Sequence, residues 1–256
     1  MLDNNELLDL ARTAACLAGE YLSGEDVARV DSMAGKDIKL EADKASEALI
    51  LEVLGPSGLP VLTEESGSIS GKGAEESGLR WIIDPLDGSM NYYKGLRELC
   101  CVSVALWDNE TPVLGVVNRF AMQEIFEGIV GESASLNGEP IRANGPSTMD
   151  QAVLATGFPL RGDSSEAALK RMEARIIASK KVRMLGAAAL MSVFVACGRA
   201  DVYCEYGIML WDIAASAAIV QAAGGVVLFE DLDDFRCDIK CFSSHVLMED
   251  FCAQGL

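Results

Sequence analysis

The spacing of apolar residues changes partway along this chain, and that change limits the possible folds more than any other feature. Residues 3–22 carry Leu7, Leu10, Ala11, Ala14, Leu17, Ala18 and Tyr21 at helical spacing. Residues 39–54 repeat the pattern and stop at Gly55-Pro56. Short strand-like runs follow at Val61–Thr63, Trp81–Asp84, Cys101–Trp107, Val113–Asn118 and Ile125–Val130, mostly bounded by Gly, Pro, Asp or Asn. Leu136-Asn137-Gly138 reads as a hairpin turn, since Asn-Gly suits positive φ. Beyond it the pattern alternates. Strands are expected at Ala152–Thr156, Val182–Leu185, Ala200–Glu205 and Val226–Phe229, and helices at Ser164–Ser179, Gly186–Cys197 and Asp212–Ala223. The expectation is an α+β part over residues 1–148 and an α/β part over 149–256, sharing a continuous interface. No proline-rich linker and no internal repeat interrupts them.

Composition narrows the function. The chain has 256 residues, half of them hydrophobic, which excludes a disordered chain. It holds 39 acidic against 21 basic residues, a net charge of −18, and its pI is near 4.4. Such a field repels nucleic acid and anionic lipid, so neither is expected as a partner. A phosphorylated substrate would then need local cations or bound metal. No apolar run approaches the roughly 18 residues of a membrane span. The acidic, amphipathic first 22 residues do not read as a secretory signal. Eight cysteines, mostly within apolar runs, read as reduced thiols of a cytoplasmic protein. There is one histidine, His245. His-rich zinc sites are excluded, a Ser–His–Asp triad would have to use that residue, and chemistry must rest mainly on carboxylates, hydroxyls, metals and backbone.

The densest signal is Trp81-Ile82-Ile83-Asp84-Pro85-Leu86-Asp87-Gly88-Ser89-Met90-Asn91. An apolar strand ends at Asp84, Pro85 is expected to stop ladder pairing, Asp87-Gly88 to turn, and Ser89 to cap a following helix. Two carboxylates thus meet unpaired helix N-terminal amides: the amides suit a phosphate, the carboxylates a hard cation. Turn chemistry alone also selects Asp and Gly. Thr63-Glu64-Glu65-Ser66 follows a strand and on its own reads as a solvated loop. Trp211-Asp212 opens a helix that closes at Gly224-Gly225, with Asp212 placed as an ordinary N-cap. Taken together, Glu64, Asp84, Asp87 and Asp212 stand at element ends in the layout of a Mg²⁺ cage, completed by water and substrate phosphate. Lys36 and Lys39 read as solvated loop lysines, and Arg161 and Arg183 carry no functional expectation. Cys237, Cys241 and His245 could mimic a metal site on a helix. Cys241–Leu247 reads instead as a terminal strand in which they alternate.

The chain resembles the inositol monophosphatase family, part of the lithium-sensitive, Mg²⁺-dependent phosphatase superfamily. The resemblance lies in Glu64-Glu65, Asp84–Asn91 and Trp211–Gly225, in order and spacing. It implies a layered αβαβα sandwich of the inositol monophosphatase and fructose-1,6-bisphosphatase type, a homodimer, and two or three Mg²⁺ ions, with Mn²⁺ as a substitute. By resemblance, Glu64, Asp84 and the Leu86 carbonyl form one metal site. Asp84, Asp87 and Asp212 form a second, and Glu64 serves a third. Asp43 polarises Ser89, which orients the attacking water. The amides near Gly88 and Ser89 take up phosphoryl charge, and Asp87 and Asp212 also face substrate. Gly186-Ala187-Ala188 and Glu205 contact the substrate alcohol. Ser89 stands where the family has Thr, Ala187 where it has Ser or Thr, and Gln221 where it has Glu. These departures bear on substrate more than on catalysis.

The implied reaction is hydrolysis of a phosphate monoester, foremost inositol 1-phosphate, by in-line attack of water without a covalent intermediate. Fructose 1,6-bisphosphate, histidinol phosphate and adenosine 3′,5′-bisphosphate are alternative substrates for the same cage. A haloacid-dehalogenase phosphatase fits poorly, because its two acids stand two apart and near the chain start. A regulatory binding protein is a further alternative, since some bacterial family members dock on transcription machinery.

Overall fold

The computed structural model describes residues 2–24, 30–34, 37–71, 78–158, 165–232 and 234–256, with backbone alone for 30–34, 37–39 and 231. Helix α1 (Asn4–Leu22) starts at Asp3. The Asp3 carboxylate accepts from the Asn5 and Glu6 N–H groups, and Glu6 accepts from the Asp3 N–H, a reciprocal capping box. The hairpin β1 (Val30–Ala34) and β2 (Asp37–Leu40) leads into α2 (Glu41–Leu54). Then come β3 (Val61–Thr63), β4 (Gly67–Ile69), β5 (Leu79–Asp87), the short helix α3 (Ser89–Tyr93), β6 (Cys101–Asp108), β7 (Thr111–Arg119), β8 (Glu124–Ile129), β9 (Ser133–Leu136) and β10 (Glu139–Ile141). The remainder is β11 (Val153–Ala155), α4 (Glu166–Ala178), β12 (Lys181–Arg183), α5 (Ala188–Ala196), β13 (Val202–Met209), α6 (Leu210–Ala222), β14 (Val226–Asp231), β15 (Arg236–Phe242) and α7 (His245–Ala253).

Two sheets organise these elements. The larger has eight strands in the order β10-β9-β8-β7-β6-β5-β3-β4, the smaller five in the order β12-β11-β13-β15-β14. One face of the large sheet, with Trp81, Ile83, Val102, Val104 and Val116, packs on the alanine stripe of α1 and on Ile50 and Leu54 of α2. Its other face, with Ile82, Ala105 and Val117, packs on α5 and α6, which lie in turn on Tyr203, Ile239 and Cys241 of the small sheet. The outer face of the small sheet carries Cys204 and Phe242 beneath Leu247 and Phe251 of α7 and Ala178 of α4. The layers are therefore α, β, α, β, α, as the resemblance implied. Helix α6 is mostly apolar and buried on nearly every side, as a helix between two sheets must be. It lies so close to β7 that a Cβ on Gly115 would stand 2.2 Å from the Ala215 carbonyl oxygen. Among the described residues no helix is long and apolar enough to cross a membrane.

Several local expectations are corrected. Pro85 does not end β5. The register shifts between Asp84 and Asp87 and pairing resumes at Asp87↔Cys101, so the missing Pro85 N–H falls in a bulge that does not need it. Ser89 is not an N-cap: α3 is capped by Gly88 and Ser89 is its first residue. Asp212 is not an N-cap either, since α6 begins at Leu210 and Asp212 stands in its first turn. The terminal strand stops at Phe242, where Ser243-Ser244 turn the chain. Ser244 caps α7 by accepting from the Leu247 N–H at 3.2 Å, and His245 is helical. Cys237 and Cys241 lie on one buried face of β15, an even number of residues apart, and do not converge with His245.

Candidate active site

Three carboxylates from three elements meet at one point. Parallel pairing of β3 with β5 sets Thr63 beside Ile83, so the next residues, Glu64 and Asp84, emerge together at the same sheet end. Asp212, on the first turn of α6, reaches the same point from the neighbouring layer. One oxygen from each of Glu64, Asp84 and Asp212 lies within 4.8 Å of the others. Asp84 is buried, and its carboxyl accepts from the Leu86 N–H at 3.0 Å. Burial, then the charges of Glu64, Asp87 and Asp212, push its pKa well above the usual carboxylate range. Asp212 accepts from the Met209 N–H at 3.2 Å and is raised by burial and then by the charges of Glu64, Asp87 and Glu205. Like charges packed this way need protons or a cation among them. An all-oxygen, all-carboxylate donor set suits a hard divalent ion such as Mg²⁺ or Mn²⁺.

Asp87 is turned differently. Its two oxygens accept from the Ala188 and Ala189 N–H groups at 3.1 and 2.8 Å, at the N-terminus of α5. Ala187 sits at the N-cap without a side-chain acceptor, and a carboxylate from the other sheet fills that place. The Cys101 thiol donates to the same carboxylate at 3.5 Å. Burial raises Asp87 to about 6, against the lowering effect of the helix amides. Asp87 thus neighbours the trio electrostatically while its oxygens hold Ala188, the last residue of the Gly186-Ala187-Ala188 loop, and Ala189, the next residue of α5.

The Asp43–Ser89 pairing lies alongside. Asp43, buried in the first turn of α2, accepts from the Leu40 N–H at 2.5 Å and from the Ser89 hydroxyl at 3.2 Å. The same hydroxyl is 3.0 Å from the Leu86 carbonyl oxygen, so its single proton is shared between two acceptors. Glu205 lies on β13, where its carboxylate accepts from the Tyr203 hydroxyl at 2.8 Å and from the Gly157 N–H. Burial pushes Glu205 up to about 7. A Cβ on Gly157 would overlap the Glu205 oxygens at 2.2 Å, so the residue there has to be glycine for that bond to form.

Sequence reasoning did not anticipate the roles of two further side chains, although Asn91 closes the Asp84–Asn91 block. Glu47, buried on α2, accepts from the Thr63 hydroxyl at 2.6 Å and from the Ser66 N–H and hydroxyl at 3.0 and 2.6 Å, which fixes the turn bearing Glu64. An acid on the Ala42–Ser46–Ile50 stripe of α2 was the available signal. Asn91 donates to the carbonyls of Leu99, Leu185 and Gly186 at 3.1, 2.7 and 3.3 Å, tying α3 to the Gly186 loop. Lys36, Arg161 and the side chain of Lys39 lie outside the described residues.

Comparison with known proteins places the chain in a family. Residues 3–235 match the model of the inositol monophosphatase family. Nus factor SuhB of Haemophilus influenzae is 37% identical over 231 residues, 87% of this chain and 85% of that protein. Inositol monophosphatase 2 of Solanum lycopersicum is 36% identical, covering 87% of each chain. Among solved structures, the inositol monophosphatase of Anabaena (Nostoc) superposes with a TM-score of 0.83 at 31% identity over 98% of this chain and 94% of its own. The extragenic suppressor protein suhB of Bartonella henselae superposes with a TM-score of 0.86 at 29% identity over 97% and 98%. The chain belongs to the inositol monophosphatase family.

Proposed function

We propose that this chain hydrolyses small phosphate monoesters with bound Mg²⁺, and that inositol 1-phosphate is its preferred substrate. The observation that carries the reading is the convergence of Glu64, Asp84 and Asp212 from a turn, a strand bulge and a helix. Asp87 and the Leu86 carbonyl stand next to them and complete the proposed ligand set. When bound there, Mg²⁺ supplies Lewis-acid neutralisation of phosphoryl charge and lowers the pKa of a water. The chain's own groups do the rest. Because the Ser89 hydroxyl gives its proton to Asp43 or Leu86, its lone pairs are left to accept from, and so orient, the attacking water. The Gly88 and Ser89 amides take up phosphoryl charge. Glu205, with Ala187 and Ala188, faces the leaving alcohol.

Phosphate release from inositol 1-phosphate, fructose 1,6-bisphosphate, histidinol phosphate and adenosine 3′,5′-bisphosphate, with and without Mg²⁺, tests the reading. Asp84→Asn and Asp212→Asn are each expected to lose nearly all Mg²⁺-dependent hydrolysis. Near-wild-type rates in either variant, or no calorimetric uptake of Mg²⁺ or Mn²⁺, would sink it. We further read the chain as a homodimer, a reading supported by exposed Leu169, Ile176 and Ile177 on α4 and Met184 after β12; sedimentation tests it. The name Nus factor carried by several relatives supports a second reading, a docking role beside catalysis. Pull-down with the Asp84→Asn protein separates the two.

A further inference from the structure

The outer face of the small sheet holds a second polar cluster. Side chains alternate along β13: Tyr203 belongs to the inner core and bonds Glu205, whereas Cys204 and Tyr206 pack outward under α4 and α7. There Arg175 of α4 is 7% exposed. Its guanidinium carbon lies 4.5 Å from the Tyr206 ring centroid and 5.9 Å from that of Phe251, and Nη2 donates to the Tyr206 hydroxyl at 2.5 Å. The Lys240 ammonium stands 5.6 and 5.7 Å from the same two centroids. Lys240 is half-buried and opens the cluster to one side.

Two cations therefore share two aromatic faces. Among the described residues neither forms an ion pair with a carboxylate, and Arg175 Nε is buried without an acceptor. Arg12, Arg119, Lys170 and Arg199 each close on Asp or Glu, whereas Arg175, though buried, has among the described residues only ring faces and the Tyr206 hydroxyl around its fork. The acid beside the cluster, Asp238 of β15, is close enough to add to burial in pushing the Tyr206 hydroxyl up, but it accepts from the Gly207 N–H at 2.8 Å and closes on neither cation. Ring faces attract each cation but offer no lone pair to a guanidinium edge. Buried like charges repel one another unless an anion lies between them.

We propose that Arg175 and Lys240, with Tyr206 as their platform, form a binding site for a phosphoryl dianion, separate from the carboxylate cluster. The charge matches: two cations face a group of nearly two negative charges. The planar Arg175 fork suits phosphate oxygens, and Lys240 supplies a mobile point charge at the open side. The dianion is either free phosphate or the phosphoryl group of a small ester.

The experiment titrates the full chain with inorganic phosphate, and separately with glycerol 3-phosphate, in excess chelator so that no metal recruits either anion. Calorimetry gives affinity, and the NMR signal of the Arg175 Nε–H reports contact in the unaltered protein. Saturable uptake of inorganic phosphate is expected, with a moved Nε–H signal, weakened about tenfold by Lys240→Met. Equal uptake of glycerol 3-phosphate assigns the site to esters, and its exclusion assigns it to free phosphate. Circular dichroism verifies that Lys240→Met is folded; should it not fold, the Nε–H signal in the unaltered chain decides. No saturable uptake, an unmoved Nε–H signal, or equal affinity in folded Lys240→Met overturns the proposal.

Discussion

Glu47 shows how one side chain controls a site it does not enter. It spends both oxygens on Thr63 and Ser66, the residues flanking Glu64-Glu65. Glu47→Ala leaves the Thr63 hydroxyl buried and unsatisfied, which costs on the order of 1–3 kcal/mol. It also frees the turn that aims Glu64. Urea unfolding is expected to show that loss, and Mg²⁺ titration a weaker affinity at the same time. An unchanged affinity would confine Glu47 to stability. Ser89→Ala gives the converse pattern, because its hydroxyl touches none of the carboxylate trio, and the Leu86 carbonyl it donates to keeps its lone pairs for a cation without that proton. Its Mg²⁺ affinity should hold while kcat falls by roughly 10²-fold or more. A kcat within a factor of two of the unaltered enzyme would remove Ser89 from the chemistry.

Between elements, the contact that matters most is β7 against α6. Gly115→Ala places a methyl 2.2 Å from the Ala215 backbone oxygen, which no rotamer can relieve. Overpacking of this kind costs about 1–3 kcal/mol. Because α6 carries Asp212, pushing it off the sheet also separates Asp212 from Glu64 and Asp84. Both a lower melting temperature and a weaker Mg²⁺ affinity are expected from Gly115→Ala; a lower melting temperature with unchanged affinity would show that α6 moves without turning Asp212. The elements most legible in sequence were those buried on a full face: α1, β3, β6 and the mostly apolar α5 and α6. Less legible were β4 at one end of the large sheet and β9 and β10 at the other, which are partly exposed, with too few residues for period two to show. Pro85 misled because a bulge is a tertiary event: the partner Cys101 lies on another strand and fixes where pairing resumes. The acids of the trio were each visible as element ends. That Asp87 would spend its oxygens on α5 was not, because Ala187 gives no local hint of where its helix finds a cap.

Across the whole molecule, the carboxylates set stability against function. Asp84, Asp87, Asp212 and Glu205 all have folded pKa values above their ordinary ones, chiefly through burial. A carboxyl raised on folding is neutral at low pH in both states, so its full stability is present below about pH 4. As pH rises the unfolded chain ionises first, and stability is lost until the folded group ionises too, near 6 for Asp87 and near 7 for Glu205. For Glu205 alone, the rise from its ordinary value to about 7 corresponds to roughly 3 kcal/mol. In chelator, these groups should make the protein melt lower at pH 7.5 than at pH 5, and Glu205→Gln should recover part of the difference. Saturating Mg²⁺ acts in the opposite direction, binding only the ionised trio, so its stabilising shift should grow from pH 5 to pH 7.5. Thermal melts across that range, with and without Mg²⁺, check both halves. A metal-free melting temperature that climbs steadily from pH 5 to 7.5 would show that the carboxylates are not crowded as the geometry demands.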